Sequence, residues 1–115
     1  MQPSDIDFLN HILDETKYCL FELKSTTYDE MISDERLSRA IVRSLEIIGE
    51  ASKRIHPDVK SRYPFVDWFK MTGLRNRLAH EYFGIDYEIV WQVLEFEIAP
   101  LKESIELIIQ QESAQ

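Results

Sequence analysis

At 115 residues the chain has the length of one domain, spanning positions 1–115, with room for three to five helices or one small sheet. Hydrophobic residues make up 44% and charged residues 30%, an ordinary globular balance, and no apolar run approaches the roughly 18–20 residues of a membrane span. The single cysteine, Cys19, excludes an intrachain disulfide and a cysteine-based zinc site and reads as a small buried hydrophobe. The start, MQPSDIDFLN, lacks the basic flank and apolar run of a signal peptide, so the expected location is cytoplasmic.

The formal net charge of −8 argues against nucleic acid, but the average hides a partition. From Lys53 to His80 seven basic residues face only Asp58 and Asp67, a net of +5. The rest of the chain carries six basic and nineteen acidic residues, a net of −13. The island is either a phosphate-binding surface or a solvated helix face.

In chain order, Ser4 or Asp5 can cap a first helix running to about Lys24. Its stripe is Ile6, Leu9, Leu13, Thr16, Leu20 and Leu23, widened by Phe8, Ile12 and Cys19. The pair Asp5 and Asp7 suits the helix dipole. STTYDEMIS (residues 25–33) reads as a loop ending in a cap at Ser33 or Asp34. A second helix buries Leu37, Ile41, Ser44, Leu45, Ile48, Ala51 and Ile55 and stops at His56-Pro57. Small residues at Ala40, Ser44, Gly49, Ala51 and Ser52 would let another helix approach closely. Pro57 opens a short turn and Pro64 marks a second break. A third helix is predicted from Phe65 to about Tyr82, stopped by Gly84. Asp86 caps a fourth, burying Ile89, Val90, Val93, Leu94 and Trp91. Pro100 kinks that helix, or splits off a fifth carrying Leu101, Ile105, Leu107 and Ile108. No segment reads as a strand. The predicted fold is all-α, an up-and-down four-helix bundle whose fourth helix is kinked or split near Pro100.

GLRNRLAHEYFG, residues 73–84, is dense in polar groups. On a wheel of about 100° per residue, Met71, Leu74, Leu78 and Tyr82 form the core face, and Arg77 points to solvent. Thr72, Phe83, Asn76, Phe69, His80 and Gly73 cluster opposite, over roughly 160° to 260°. An apolar face turned from the core needs a cover, either a second copy of the chain or the second helix and the 56–64 loop. A two-fold homodimer would bring two copies of Arg75 and His80 to one seam. The arginine fork binds phosphate and stabilises developing negative charge, and the histidine moves protons near neutrality. Asn76, at i, i+4 from His80, could orient the ring or the phosphate. Those parts suffice for metal-free RNA cleavage by 2′-OH attack, with no cofactor. They also fit a purely structural helix.

The run from Arg75 to Tyr82 resembles the R-x4-H-x-Y signature of HEPN-domain toxins, specifically the HepT (DUF86) family. Trp68, Leu74 through Asp86, Val90 and Trp91 stand where the family's longer pattern has them, and the likeness covers most of the chain. The resemblance implies a dimeric, HEPN-like four-helix-bundle ribonuclease toxin whose partner is a minimal nucleotidyltransferase antitoxin of the MntA type. It implies Arg75 and His80 as the catalytic pair and Asn76 as the polar residue beside the arginine. Tyr82 takes the position where some antitoxins attach AMP. An alternative of another class is a catalytically silent helical subunit that binds nucleotide or presents substrate to the transferase.

Elsewhere, Arg77 is a candidate phosphate ligand, and Lys53, Arg54, Lys60 and Arg62 could extend a phosphate track. His11 and His56 have no partners at metal-ligand spacing, and His56 reads as a helix terminus. Glu95 and Glu97 are expected to be solvated or partner-facing, and Trp68 and Trp91 to be core.

Overall fold

A computed structural model describes residues 1–80 and 84–114, with His80 described for its backbone alone. The first helix, α1 (Pro3–Ser25), starts earlier than Ser4 or Asp5 suggested: Pro3 occupies its first turn and Gln2 is its cap. Asp5 closes a capping box with Gln2 and is itself buried, so it does more than complement the helix dipole. Leu9, Ile12, Thr16 and Cys19 line the buried face. Ser44 lies beside the Cys19 thiol, which donates to its hydroxyl over 3.3 Å, and burial pushes that thiol up to about 11.

The segment expected to be a loop holds a short helix, α2 (Tyr28–Ser33). Thr27 and Glu30 form a reciprocal capping box there, a signal present in the sequence as T-x-x-E. Asp34 caps α3 (Glu35–Arg54), accepting from the Leu37 N–H. Every position predicted for the α3 core is buried except Leu37, which is half-buried. His56 caps α4 (Pro57–Arg62), and its own N–H donates to Asp5 at 3.0 Å, tying the start of α4 to the start of α1.

The third helix departs most from expectation. It begins at Trp68 rather than Phe65 and is broken by Gly73 into α5 (Trp68–Thr72) and α6 (Leu74–Leu78). The helix ends at Leu78 instead of continuing to Tyr82. Ala79 turns extended, and the Leu78 carbonyl accepts the Asp86 N–H at 2.7 Å. Two short strands follow, β1 (Ala79–His80) and β2 (Gly84–Ile85), paired antiparallel with Ala79 opposite Ile85 and His80 opposite Gly84. Gly84, expected to stop a helix, instead serves this ladder with φ +90°, a conformation glycine adopts without cost.

Asp86 caps α7 (Tyr87–Phe96) as predicted. The break to α8 (Ile98–Ser113) falls at Glu97, three residues before Pro100, which sits in the first turn of α8 where its missing N–H does no harm. Leu107, expected inside, is 42% exposed.

The result is an all-α, HEPN-like bundle of four columns: α1, α3, the broken α5–α6, and α7–α8. Column α1 packs against α3 and α8, α5 and α6 against α3, and α7 against α6 and α8. Leu9, Ile12, Ile41, Leu45, Ile48, Leu74, Val90, Ile98 and Ile105 fill the interior. Gly49 is where α3 and the third column meet most closely: an added Cβ would lie 3.2 Å from the Met71 carbonyl and 3.5 Å from Leu74 Cβ. Gly49→Leu is expected to cost ~1–3 kcal/mol by overpacking. Gly49→Ala should be nearly neutral, because up to ~1 kcal/mol of helix propensity offsets the crowding. Urea denaturation of the two variants checks this. No helix among the described residues is long and apolar enough to cross a membrane.

Candidate active site

Arg75 and His80 sit on different elements. Arg75 lies in the short helix α6, whereas His80 belongs to β1, beyond the helix end. The wheel that put His80 on a face with Asn76 therefore does not apply past Leu78, and the expected i, i+4 pairing of Asn76 and His80 is corrected. For the other described positions apart from Arg77 the wheel is sound. Met71, Leu74 and Leu78 are buried, while Asn76 is exposed and Thr72 and Gly73 are half-buried. Phe69 is 90% exposed, a large apolar ring in open solvent beside the motif. The His80 imidazole, Tyr82 and Phe83 lie outside the described residues.

The Arg75 side chain is 75% exposed. Its ion pair among the described residues is with Glu46 of α3, at 3.9 Å, too long for a hydrogen bond. Nothing in the sequence spacing singles out Glu46, twenty-nine residues upstream. The contact exists because α6 lies along α3. A contact this long leaves the guanidinium able to form a charge-assisted fork with an oxyanion.

Arg77 does not point to solvent. Its two terminal nitrogens donate to the two Glu97 carboxylate oxygens at 2.9 and 2.7 Å, and the side chains are only 27% and 19% exposed. The fork expected for phosphate is thus taken up by Glu97, which in turn is largely shielded from solvent. The hydrogen bond from Arg77 holds the Glu97 carboxyl below the usual glutamate range, against desolvation, and the same bond raises Arg77. Asp67 and Lys70 also act on Glu97 at longer range. A lowered carboxyl stabilises the fold above its ordinary value, near 4.5, and the contribution is lost as pH falls through the depressed one. Arg77 stays charged throughout this window. Melting temperature is therefore expected to fall more steeply below about pH 4.5 for the wild type than for Glu97→Gln, in calorimetry across that range.

The remaining basic candidates divide. Lys53 and Arg54 are exposed at the end of α3, whereas Arg62 pairs with Glu112 at 3.1 Å, and the Tyr63 hydroxyl donates to the same carboxylate. Burial lowers Lys60. The track is thereby shortened to its α3 end. Trp68 is buried, with its indole N–H on the Tyr63 carbonyl at 3.0 Å, and Trp91 is half-buried against Tyr28. Among the described residues no three His, Cys, Asp or Glu side chains converge as a metal site. A concavity of about 230 Å³ lies between Phe65, Lys70, Phe96 and Glu97, and neither Arg75 nor Asn76 is in its wall. Among the described residues the motif arginine stands on an open surface.

The sequence profile of one family, described as Ribonuclease HepT-like, matches residues 9–108. A protein of Caldanaerobacter subterraneus subsp. tengcongensis named "Putative RNase" is 38% identical over 105 residues, covering 91% of this chain and 94% of that one. Another so named, from Methanocaldococcus jannaschii, is 39% identical over 101 residues, with 88% and 93% covered. The "Probable ribonuclease HepT" of Thermococcus cleftensis is 33% identical over 106 residues, with 92% and 96% covered. No solved structure matches the chain.

Proposed function

The chain belongs to the ribonuclease HepT-like family, and from that premise we propose that it is a metal-independent endoribonuclease whose site is Arg75 and His80, completed by a second copy of the chain. The observation that carries this reading is the exposed Arg75 guanidinium on α6, with the chain leaving the helix three residues later to reach His80 in β1. One imidazole takes the proton from a ribose 2′-OH, and the freed oxygen attacks the adjacent phosphorus. Arg75 stabilises the charge that builds on the phosphoryl oxygens. An imidazolium then protonates the departing 5′-oxygen, leaving a 2′,3′-cyclic phosphate. Two such groups are needed and one chain supplies one His80. The bare Phe69 ring and the half-covered Thr72 and Gly73 beside Asn76 favour a homodimer seam at this face.

The biological setting that fits is a cytoplasmic toxin held in check by a minimal nucleotidyltransferase antitoxin of the MntA type. AMP attached to Tyr82, two residues past His80, would add an anion and bulk at a phosphate site and block it.

The test is cleavage of an RNA oligonucleotide by the purified chain. Expected are a 2′,3′-cyclic phosphate product, full activity in EDTA, a dimeric mass in ultracentrifugation, and no cleavage where a single 2′-deoxy nucleotide replaces the scissile ribose. A chain that cuts no RNA but forms a stable complex with the transferase is instead a silent, substrate-presenting subunit.

A further inference from the structure

We propose that the Arg77–Glu97 pair is a positioning device for the Arg75–His80 site: it fixes the end of α6, and with it the point where the chain departs toward His80. The inference rests on the ribonuclease reading for its catalytic consequence, but its structural content stands separately.

Three observations carry it. The pair joins residues twenty apart in sequence through a complete fork-on-carboxylate contact, the geometry that best restricts orientation. Its arginine is the residue before Leu78, whose carbonyl accepts the Asp86 N–H where the chain passes into β1. Its carboxylate belongs to the hinge residue between α7 and α8. Glu97 stands at the N-cap of α8, yet its side chain makes no cap hydrogen bond there and reaches across to Arg77 instead. The last turn of α6 is thus gripped from two sides, by Glu97 through a side chain and by Asp86 through the backbone. A five-residue helix following a glycine break has little rigidity of its own, so its direction is set by such contacts. Arg75 lies on that helix, and His80 begins where it ends.

Arg77 is accordingly a positioning residue, distinct from the phosphate ligand that its place in the motif suggests. The experiment compares Arg77→Lys, Arg77→Gln, Glu97→Gln and the exchanged pair Arg77→Glu with Glu97→Arg, all assayed well below their melting transitions. Arg77→Lys keeps the charge and loses the fork. It and Glu97→Gln are each expected to lower kcat by about 10- to 100-fold with KM and its salt dependence unchanged, and the exchanged pair to recover part of the loss. A raised KM with a shallower salt slope in Arg77→Gln, alongside a silent Glu97→Gln, makes Arg77 a phosphate contact and overturns the proposal. So does a fall in melting temperature with kcat intact. Nuclear magnetic resonance supplies an arm independent of cleavage. In Glu97→Gln the His80 ring signals should shift and the Asp86 amide should exchange faster, and if neither moves the proposal fails. A wild type inert toward RNA removes the catalytic reading alone, and the resonance arm then decides the positioning claim.

Discussion

His80→Ala is expected to lower kcat for RNA cleavage by about 10²- to 10⁴-fold, the usual worth of a general acid–base group, with the fold and the dimer intact. Arg75→Ala should cost about 10²- to 10³-fold, because it removes stabilisation of charge that develops only in the transition state. Neither substitution should move the melting temperature appreciably. Arg75 is exposed and its Glu46 contact is long, so little stability rests on it. The two losses should be strongly non-additive, since each group serves the same transition state. Mixed dimers sharpen the test. If the seam is shared and both imidazoles act, a dimer of one wild-type and one His80→Ala protomer should be nearly as inactive as the His80→Ala homodimer. Full activity of either single variant ends the case for this site.

Leu74→Ala should destabilise the protein by ~2–5 kcal/mol, the cost of truncating a fully buried leucine in a packed interior. Against a total of ~5–15 kcal/mol this is a large fraction, and the melting temperature should drop by on the order of 10 °C. Leu74 is the residue before Arg75 and lies where α6 meets Gly49 of α3. A cavity there loosens the helix that carries the guanidinium, so cleavage at 25 °C should fall even while the protein is folded. Leu107→Ala is the control: a half-open leucine on α8, whose loss should fall within about ±0.5 kcal/mol. Thermal melts and cleavage rates of the two variants separate the alternatives. Equal melting temperatures would mean that α6 is not packed as described.

The sequence was most legible where a signal is local. Asp34 and Asp86 announce their helices because a carboxylate there accepts the next N–H groups, and they do so. The long amphipathic stripe of α3 predicts its buried face almost residue by residue, because burial follows the helical period, whereas in α1 Leu9, Ile12, Thr16 and Cys19 are buried and Ile6, Leu13, Leu20 and Leu23 only half-buried. The capping box at Thr27 and Glu30 is equally local, and α2 starts from it. The end of the third helix was not readable in this way. Residues 79–82 have ordinary helical composition, and what stops the helix is Asp86 N–H on the Leu78 carbonyl together with the pairing of His80 with Gly84. The same holds for the motif arginine and its neighbour. In sequence Arg75 and Arg77 are alike, two positions apart on one polar stretch.

What the sequence determined by itself was the helical class, the main buried stripes, the R-x4-H signature and the family it belongs to. All of these depend on residue type and spacing along one stretch of chain. Only the tertiary structure decided that Arg75 stands in the open while Arg77 is locked to Glu97, and that His80 leaves the helix. Those outcomes turn on which distant carboxylate or carbonyl a folded neighbour presents, and a contact across twenty residues leaves no period in the sequence to read.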